Sequence, residues 1–154
     1  MNNKMKDIRY KIIFGLFLVS LISSIILSIK PASEICDINS GCEIVYYSAY
    51  NSFLGVQNSY YGVIIFSLLS ILMISYFINP TNNKKAVINL AILIGALIAL
   101  YFLYVQNFVL KAFCQYCLIV DLSTVISFLL ILPELKKGFL GIKKENEEGI
   151  TTGS

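Results

Sequence analysis

The stretch Ala86–Leu110, AVINLAILIGALIALYFLYVQNFVL, runs for 25 residues without an Asp, Glu, Lys or Arg. As an α-helix rising 1.5 Å per residue it reaches roughly 37 Å, enough to cross a hydrocarbon core of about 30 Å. Its apolar residues occupy all sides of the helix, which excludes the one-sided stripe of a soluble amphipathic helix. Working outward, Ile12–Ile29, Tyr61–Ile78 and Phe113–Leu132 repeat the pattern, and the only formal charge inside any of these blocks is Asp121. A composition of 57% hydrophobic residues and a mean hydropathy of +0.76 agree with four spans. The fold expected is therefore an all-α integral membrane protein, a four-transmembrane-helix bundle with spans at about 12–29, 61–78, 86–110 and 113–132. Residues 1–133 form its membrane domain, and the polar segment 134–154 reads as a disordered cytoplasmic tail.

The net charge of +3 marks an orientation rather than an acidic partner such as nucleic acid. Lys4, Lys6, Arg9 and Lys11 precede the first span, Lys84 and Lys85 separate the second and third, and Lys136, Lys137, Lys143 and Lys144 follow the fourth. Only Lys30 and Lys111 fall on the opposite side, so the positive-inside rule places both termini in the cytoplasm. Met1–Ile29 is not followed by a small-residue cleavage site, and it reads as a retained span rather than a signal peptide.

The long loop, roughly Lys30 to Tyr60, then lies outside. It opens with Pro31-Ala32-Ser33, turns through Asp37-Ile38-Asn39-Ser40-Gly41, and continues into Ile44-Val45-Tyr46-Tyr47-Ser48-Ala49-Tyr50. That aromatic run is expected to lie along the membrane surface as a short interfacial helix. Asn79-Pro80-Thr81-Asn82-Asn83 makes a cytoplasmic turn, because Pro80 biases Asn79 away from helical backbone angles.

The chemistry rests on four cysteines. Cys36 and Cys42 are in the outer loop, and Cys114-Gln115-Tyr116-Cys117 stands at the mouth of the fourth span, so every thiol falls on the side where disulfides persist. A Cys-x-x-Cys at a helix start has its first thiolate stabilised by free amides and the helix dipole, which makes Cys114 the better nucleophile. Cys117, one turn deeper, can meet a lipid-soluble oxidant such as a quinone. Two permanent disulfide staples are a competing reading. A four-thiolate zinc site is another, disfavoured by the oxidising side and the lack of any His, so no metal is expected. Lys111 either steers the Cys114 thiolate or anchors the span at the interface.

The run from Cys36 to Gly62, with Cys-x5-Cys, Ser48, Phe53-Leu54-Gly55 and Gly62, resembles the vitamin K epoxide reductase family, and Cys114-Gln115-Tyr116-Cys117 opening the last of four spans extends the resemblance. The layout is similar to compact prokaryotic members without a fused thioredoxin domain. This resemblance implies a bundle around a quinone (menaquinone, ubiquinone or vitamin K) and a separate thioredoxin-like oxidoreductase as partner on the outer side. It implies that Cys36 and Cys42 shuttle electrons to Cys114, that Cys117 meets quinone, and that Ser48 supports the loop helix. Gln57 stands where many prokaryotic members carry proline, whereas Asn58-Ser59 with Gly62 is similar to animal members, in which an asparagine bonds a quinone oxygen. Asn58 inherits that role, and Asp121 takes the place of a quinone-contacting tyrosine as a hydrogen-bond or proton donor, with a satisfied helix-packing carboxyl as the alternative. Tyr46, Tyr61 and Phe113 are further candidates for the pocket wall, with packing or an interfacial belt as the alternative.

The activity so implied is thiol:quinone oxidoreduction supporting disulfide formation. Quinone epoxide reduction and a non-enzymatic, disulfide-stapled membrane protein are the alternatives. The other bacterial four-helix disulfide generator carries its cysteine pairs in the reverse order, and a transporter would need more intramembrane polar groups. The short loop and the absence of an Asn-x-Ser/Thr acceptor favour a prokaryotic cell membrane over endoplasmic reticulum.

Overall fold

The computed structural model describes residues 3–30, 34, 36 and 41–151, with side chains for those between 7 and 136. Pro31-Ala32-Ser33 and the Asp37–Ser40 part of the expected turn lie outside the described residues. Helix α1 spans Asn3–Ile29, and a short α2 spans Gly41–Tyr46. A 3-10 turn at Ala49–Asn51 and a hairpin of β1 (Ser52–Phe53) and β2 (Val56–Gln57) complete a cap. Helices α3 (Asn58–Ile78), α4 (Asn82–Tyr104) and α5 (Gln115–Thr151) follow.

Four helices are long and apolar enough to cross a membrane, over Asp7–Ile29, Asn58–Ile78, Asn82–Val109 and Gln115–Lys136. Thr81 caps α4 by accepting the Lys84 N–H, and Asn79 closes α3, so the Pro80 turn takes only a few residues. Beyond Pro133 the backbone stays helical to Thr151. Pro133 removes one backbone hydrogen bond, yet Glu134, Leu135, Lys136 and Lys137 behind it all favour helix.

The cap also differs from expectation. Its helix begins at Gly41 and ends at Tyr46, earlier than the aromatic run suggests, and Tyr47–Tyr50 turn away into the hairpin. In that hairpin Ser52 pairs with Gln57 and Phe53 with Val56, while Leu54 (φ 52°) and Gly55 (φ 80°) supply two left-handed residues. Such a two-residue turn matches strand twist, but Leu in its first position is a poor advertisement for it.

The burial pattern is that of a bundle in lipid. Ile22, Leu68, Leu97 and Leu129 are more than half exposed, while Ser20, Ser24, Ser70, Ser123 and Ser127 are buried between helices. Small residues let backbones approach where no hydrophobic effect drives association. A methyl group on Gly62 would come within 2.6 Å of Ser24 Oγ, and one on Gly95 within 3.2 Å of Thr124 Cγ2. Several hydroxyls bond within their own helix, as Ser127 does to the Ser123 carbonyl and Thr124 to that of Val120. Phe17, Ile13, Met73, Ile88 and Ile131 fill the centre. At the end carrying most of the basic residues, the Tyr10 hydroxyl donates to Asn89 and Lys85 pairs with Glu134, tying α1, α4 and α5 together.

Helix α1 packs along α3 and α5, and α4 packs along α5, but α3 and α4 touch only lightly. That asymmetry leaves a cavity among the four helices, under the cap.

Candidate active site of four cysteines and a capped cavity

Cys36 and Cys42 form a disulfide, while Cys114 and Cys117 are thiols. Both loop cysteines and Cys114 are buried in one cluster with Leu27, Val45 and Ala112 at the capped end of the bundle. The Sγ atoms of Cys42 and Cys114 are 3.9 Å apart, so Cys114 faces Cys42 of the loop pair. Cys117 lies one helical turn along α5 from Cys114, and it lines the cavity.

Two local features of sequence create this proximity. After α4 the chain enters a π-helical turn, Val105–Val109, and Lys111 takes a left-handed conformation (φ 49°) that ends it. The following residues, Ala112 to Cys114, then run beside α2. Gly41 makes the approach possible, because a Cβ there would lie 2.7 Å from Phe113 N and 2.8 Å from Phe113 O. The backbone of the cap helix thus rests directly on the backbone that delivers Cys114.

Cys114 stands just before the fourth span, at the N-terminus of α5. Its thiol is lowered from the usual 9.0 to about 7, first by a hydrogen bond with the Cys117 side chain and then by the backbone amides of Cys117 and Tyr116, against burial, which raises it. The Cys117 N–H donates to Cys114 Sγ at 3.3 Å. A thiolate held this way is a ready nucleophile toward Cys42 at neutral pH. Since the thiolate is the reacting form, exchange between Cys114 and the loop disulfide should accelerate with pH and level off above about 7 rather than above 9.0. Acid quenching of the unmodified chain across pH, followed by mass mapping of its disulfides, measures this.

The cavity has a volume of about 590 Å³. Its wall is largely apolar, from Phe17, Ile65, Phe66, Ile92 and Phe102 among others, and several of its polar groups, Ser48, Asn51, Asn58, Ser59 and Tyr61, come from the cap and the first turn of α3. Asn58, Tyr61 and Asp121, which the sequence marks for a quinone, all line it, as does Ser48. Tyr46 and Phe113 are not among the residues that line it. The Tyr46 hydroxyl accepts from Gln57 and its ring meets Tyr47, while the Phe113 ring is half exposed on the outside of the connector.

The polar side chains at the mouth hold the cap. Asn58 Nδ2 donates to the Tyr50 carbonyl at 2.8 Å, and the Tyr61 hydroxyl donates to that of Phe53 at 3.2 Å. Ser48 donates to the Val45 carbonyl at 2.7 Å, closing the end of α2, and Asn51 donates to that of Tyr46. Deeper in, Asp121 is buried and accepts from Gln106. Gln106 was not singled out by sequence reasoning, although an uncharged polar residue near the end of an apolar span was the available signal. Gly41 was missed as well, since nothing in the sequence reveals which backbone it will touch. Among the described residues, no group of three or more His, Cys, Asp or Glu could hold a metal ion.

Fold and site together define a four-span membrane protein in which two cysteine pairs meet beside an apolar cavity. The model of the Vitamin K epoxide reductase family matches residues 11–132, and the chain belongs to that family. It is accordingly an oxidoreductase of an integral membrane helical bundle, in a family that works on quinone or vitamin K. No curated protein and no solved structure matches the chain.

Proposed function

We propose that this chain is a thiol:quinone oxidoreductase that passes electrons from a separate thioredoxin-like partner, through Cys36/Cys42 and Cys114/Cys117, to a membrane quinone. The observation that carries this reading is the file of sulfurs. Cys42 approaches Cys114 to 3.9 Å, Cys117 follows one helical turn away, and Cys117 alone of the four lines the cavity. Cys36 is then the loop sulfur left for the partner.

Each transfer balances as thiol–disulfide exchange. A partner dithiol reduces the Cys36–Cys42 disulfide and leaves as a disulfide. Cys42 then attacks Cys114 of an oxidised Cys114–Cys117 pair, releasing Cys117, and Cys36 displaces Cys114 to restore the loop disulfide. That product, a loop disulfide beside two thiols, is the redox state described above. The Cys114 and Cys117 thiols next give two electrons and two protons to the quinone and become a disulfide. A cavity of about 590 Å³ with several polar groups from the cap and a largely apolar wall suits a quinone ring with a lipid tail. Asp121 is the acid at its wall that can bond or protonate a quinone oxygen. Asn58 keeps one N–H beyond its bond to Tyr50, which supports an accessory hydrogen bond to the ring.

The basic residues flanking the spans support both termini in the cytoplasm and the cysteines outside, and the short loop supports a prokaryotic cell membrane. The division at residue 133, with 134–154 on the cytoplasmic side, belongs to the same proposal.

The test uses the purified full chain in detergent, a reduced thioredoxin-like oxidoreductase and several quinones. Wild type should reduce quinone, Cys36→Ala should fail with the protein partner, and a quinone epoxide offered with a dithiol distinguishes epoxide reduction. Asp121→Asn is expected to lower turnover about tenfold, the size of one hydrogen bond of roughly 1.4 kcal/mol, and to flatten its pH dependence. Unchanged turnover across pH would remove Asp121 from the mechanism.

A further inference from the structure

Gln106 makes a set of contacts that ordinary helix packing does not require. It sits in the π-helical turn, where the Leu110 N–H bonds to the Val105 carbonyl at 2.9 Å instead of to that of Gln106. The Gln106 carbonyl is thereby released and accepts the Ala112 N–H at 3.1 Å. The side chain, only 3% exposed, reaches the same connector one step further on, with Oε1 accepting the Cys114 N–H at 3.2 Å. Its other end, Nε2, donates to Asp121 Oδ2 at 3.2 Å. One residue therefore holds the strand that delivers Cys114 and the carboxyl at the cavity wall.

The polarity of these bonds is specific. The Cys114 amide can only donate, and Asp121 Oδ2 accepts, so the bridge needs an acceptor and a donor at fixed separation. A carboxamide supplies both. A π-turn is how an otherwise regular helix re-aims a single side chain, and here Val105 and Gln106 are both buried within it. With Oδ2 held by Gln106, Oδ1 is the carboxyl oxygen left for a ligand.

We propose that Gln106 is a positioning residue that sets Cys114 against Cys42 through one end of its amide and holds Asp121 at the cavity wall through the other. This rests on the thiol:quinone reading, but its first half concerns sulfur chemistry alone. Gln106 borders the cavity, but both ends of its amide are committed to Cys114 and Asp121, and it acts through the two residues it bridges.

Two variants separate the ends. Gln106→Leu removes both bonds, whereas Gln106→Glu keeps an oxygen for the Cys114 N–H and replaces the permanent N–H donor to Asp121 with an O–H that is lost on ionisation. The first readout needs no quinone. In the full-length Cys36→Ala/Cys117→Ala background, oxidised glutathione joins Cys42 to Cys114, taking both electrons and leaving as two glutathione thiols, and mass mapping gives the rate. Gln106→Leu should slow this cross-link about tenfold, and Gln106→Glu should stay within about twofold. The second readout is quinone turnover against pH with all four cysteines present. There Gln106→Glu should lose about tenfold and displace the pH profile, which a purely structural role would leave in place.

Cross-linking of the Leu variant at the parent rate overturns the proposal, and so does a Glu variant with parental turnover and pH profile. If the Leu variant does not fold, a Glu variant that cross-links normally yet shows a shifted profile still upholds it. If the unmodified chain reduces no quinone, the proposed activity fails, while the cross-linking rates still uphold or overturn the role of Gln106.

Discussion

A Cys117→Ser chain is expected to lose quinone reduction by about 10³-fold or more, with protein and small dithiol reductants alike, and, isolated without reductant, to hold a Cys42–Cys114 disulfide in exchange equilibrium with the loop pair. The size of the effect follows from the order of the sulfurs. Cys114 faces Cys42 and Cys117 faces the cavity, so no other thiol can take over the last step. A serine hydroxyl can neither attack Cys114 nor form a disulfide with it. Once Cys114 has attacked the loop pair, giving Cys42–Cys114 and a free Cys36 thiol, only reversal by Cys36 remains.

The linked species is read by non-reducing electrophoresis after protease cleavage between the loop and α5, or by mass mapping. The fraction of the chain that keeps the loop disulfide should still exchange with the partner in the absence of quinone. Turnover by Cys117→Ser close to wild type would sink the relay order outright. Loss of turnover without any Cys42–Cys114 species would show that the 3.9 Å approach is not the route of electrons.

Much of this could be read from residue order, and the remainder could not for identifiable reasons. The spans were legible because lipid imposes one strong condition, long uncharged runs, and Ala86–Leu110 meets it with only its last residues in a π-turn rather than an α-helix. The thiol pairs were legible because two short spacings fall on one side of the spans. The hairpin was hidden because Leu54-Gly55 carries only half of the usual turn signal, Leu standing where Asn or Asp would announce left-handed backbone. Tyr46 and Phe113 could not be oriented from the sequence because an aromatic near a site has many possible directions, and one turn of backbone decides between the cavity and the outside. Gln106 and Gly41 act through tertiary contacts to residues 8 to 15 positions away in one case and to the distant Phe113 backbone in the other. Periodicity carries no trace of either.

Gly41 yields the second large effect. Its backbone lies so close to Phe113 that any Cβ would come within 2.7 Å of one backbone atom and 2.8 Å of another, and neither atom belongs to a flexible side chain. The residue does not have a left-handed φ, so the requirement is space alone. In Gly41→Val the two backbones must part by on the order of 1 Å, and Cys42, the next residue, moves with the cap. Disulfide exchange needs the attacking sulfur in contact and in line, and a misplacement of about 1 Å can cost roughly 10²-fold. Gly41→Val should therefore slow Cys42–Cys114 cross-linking about 10²-fold and lower quinone turnover with the protein partner to match, while Gly41→Ala falls between. The Cys36–Cys42 disulfide should still form, since its two ends move together. The control is a reductant small enough to reach Cys114–Cys117 directly, which should restore quinone turnover in Gly41→Val because the cavity and Cys117 lie beyond the disturbed contact. Equal loss with both reductants would mean that Gly41 supports the bundle as a whole, and the close approach of cap to connector would no longer be the reason for the glycine.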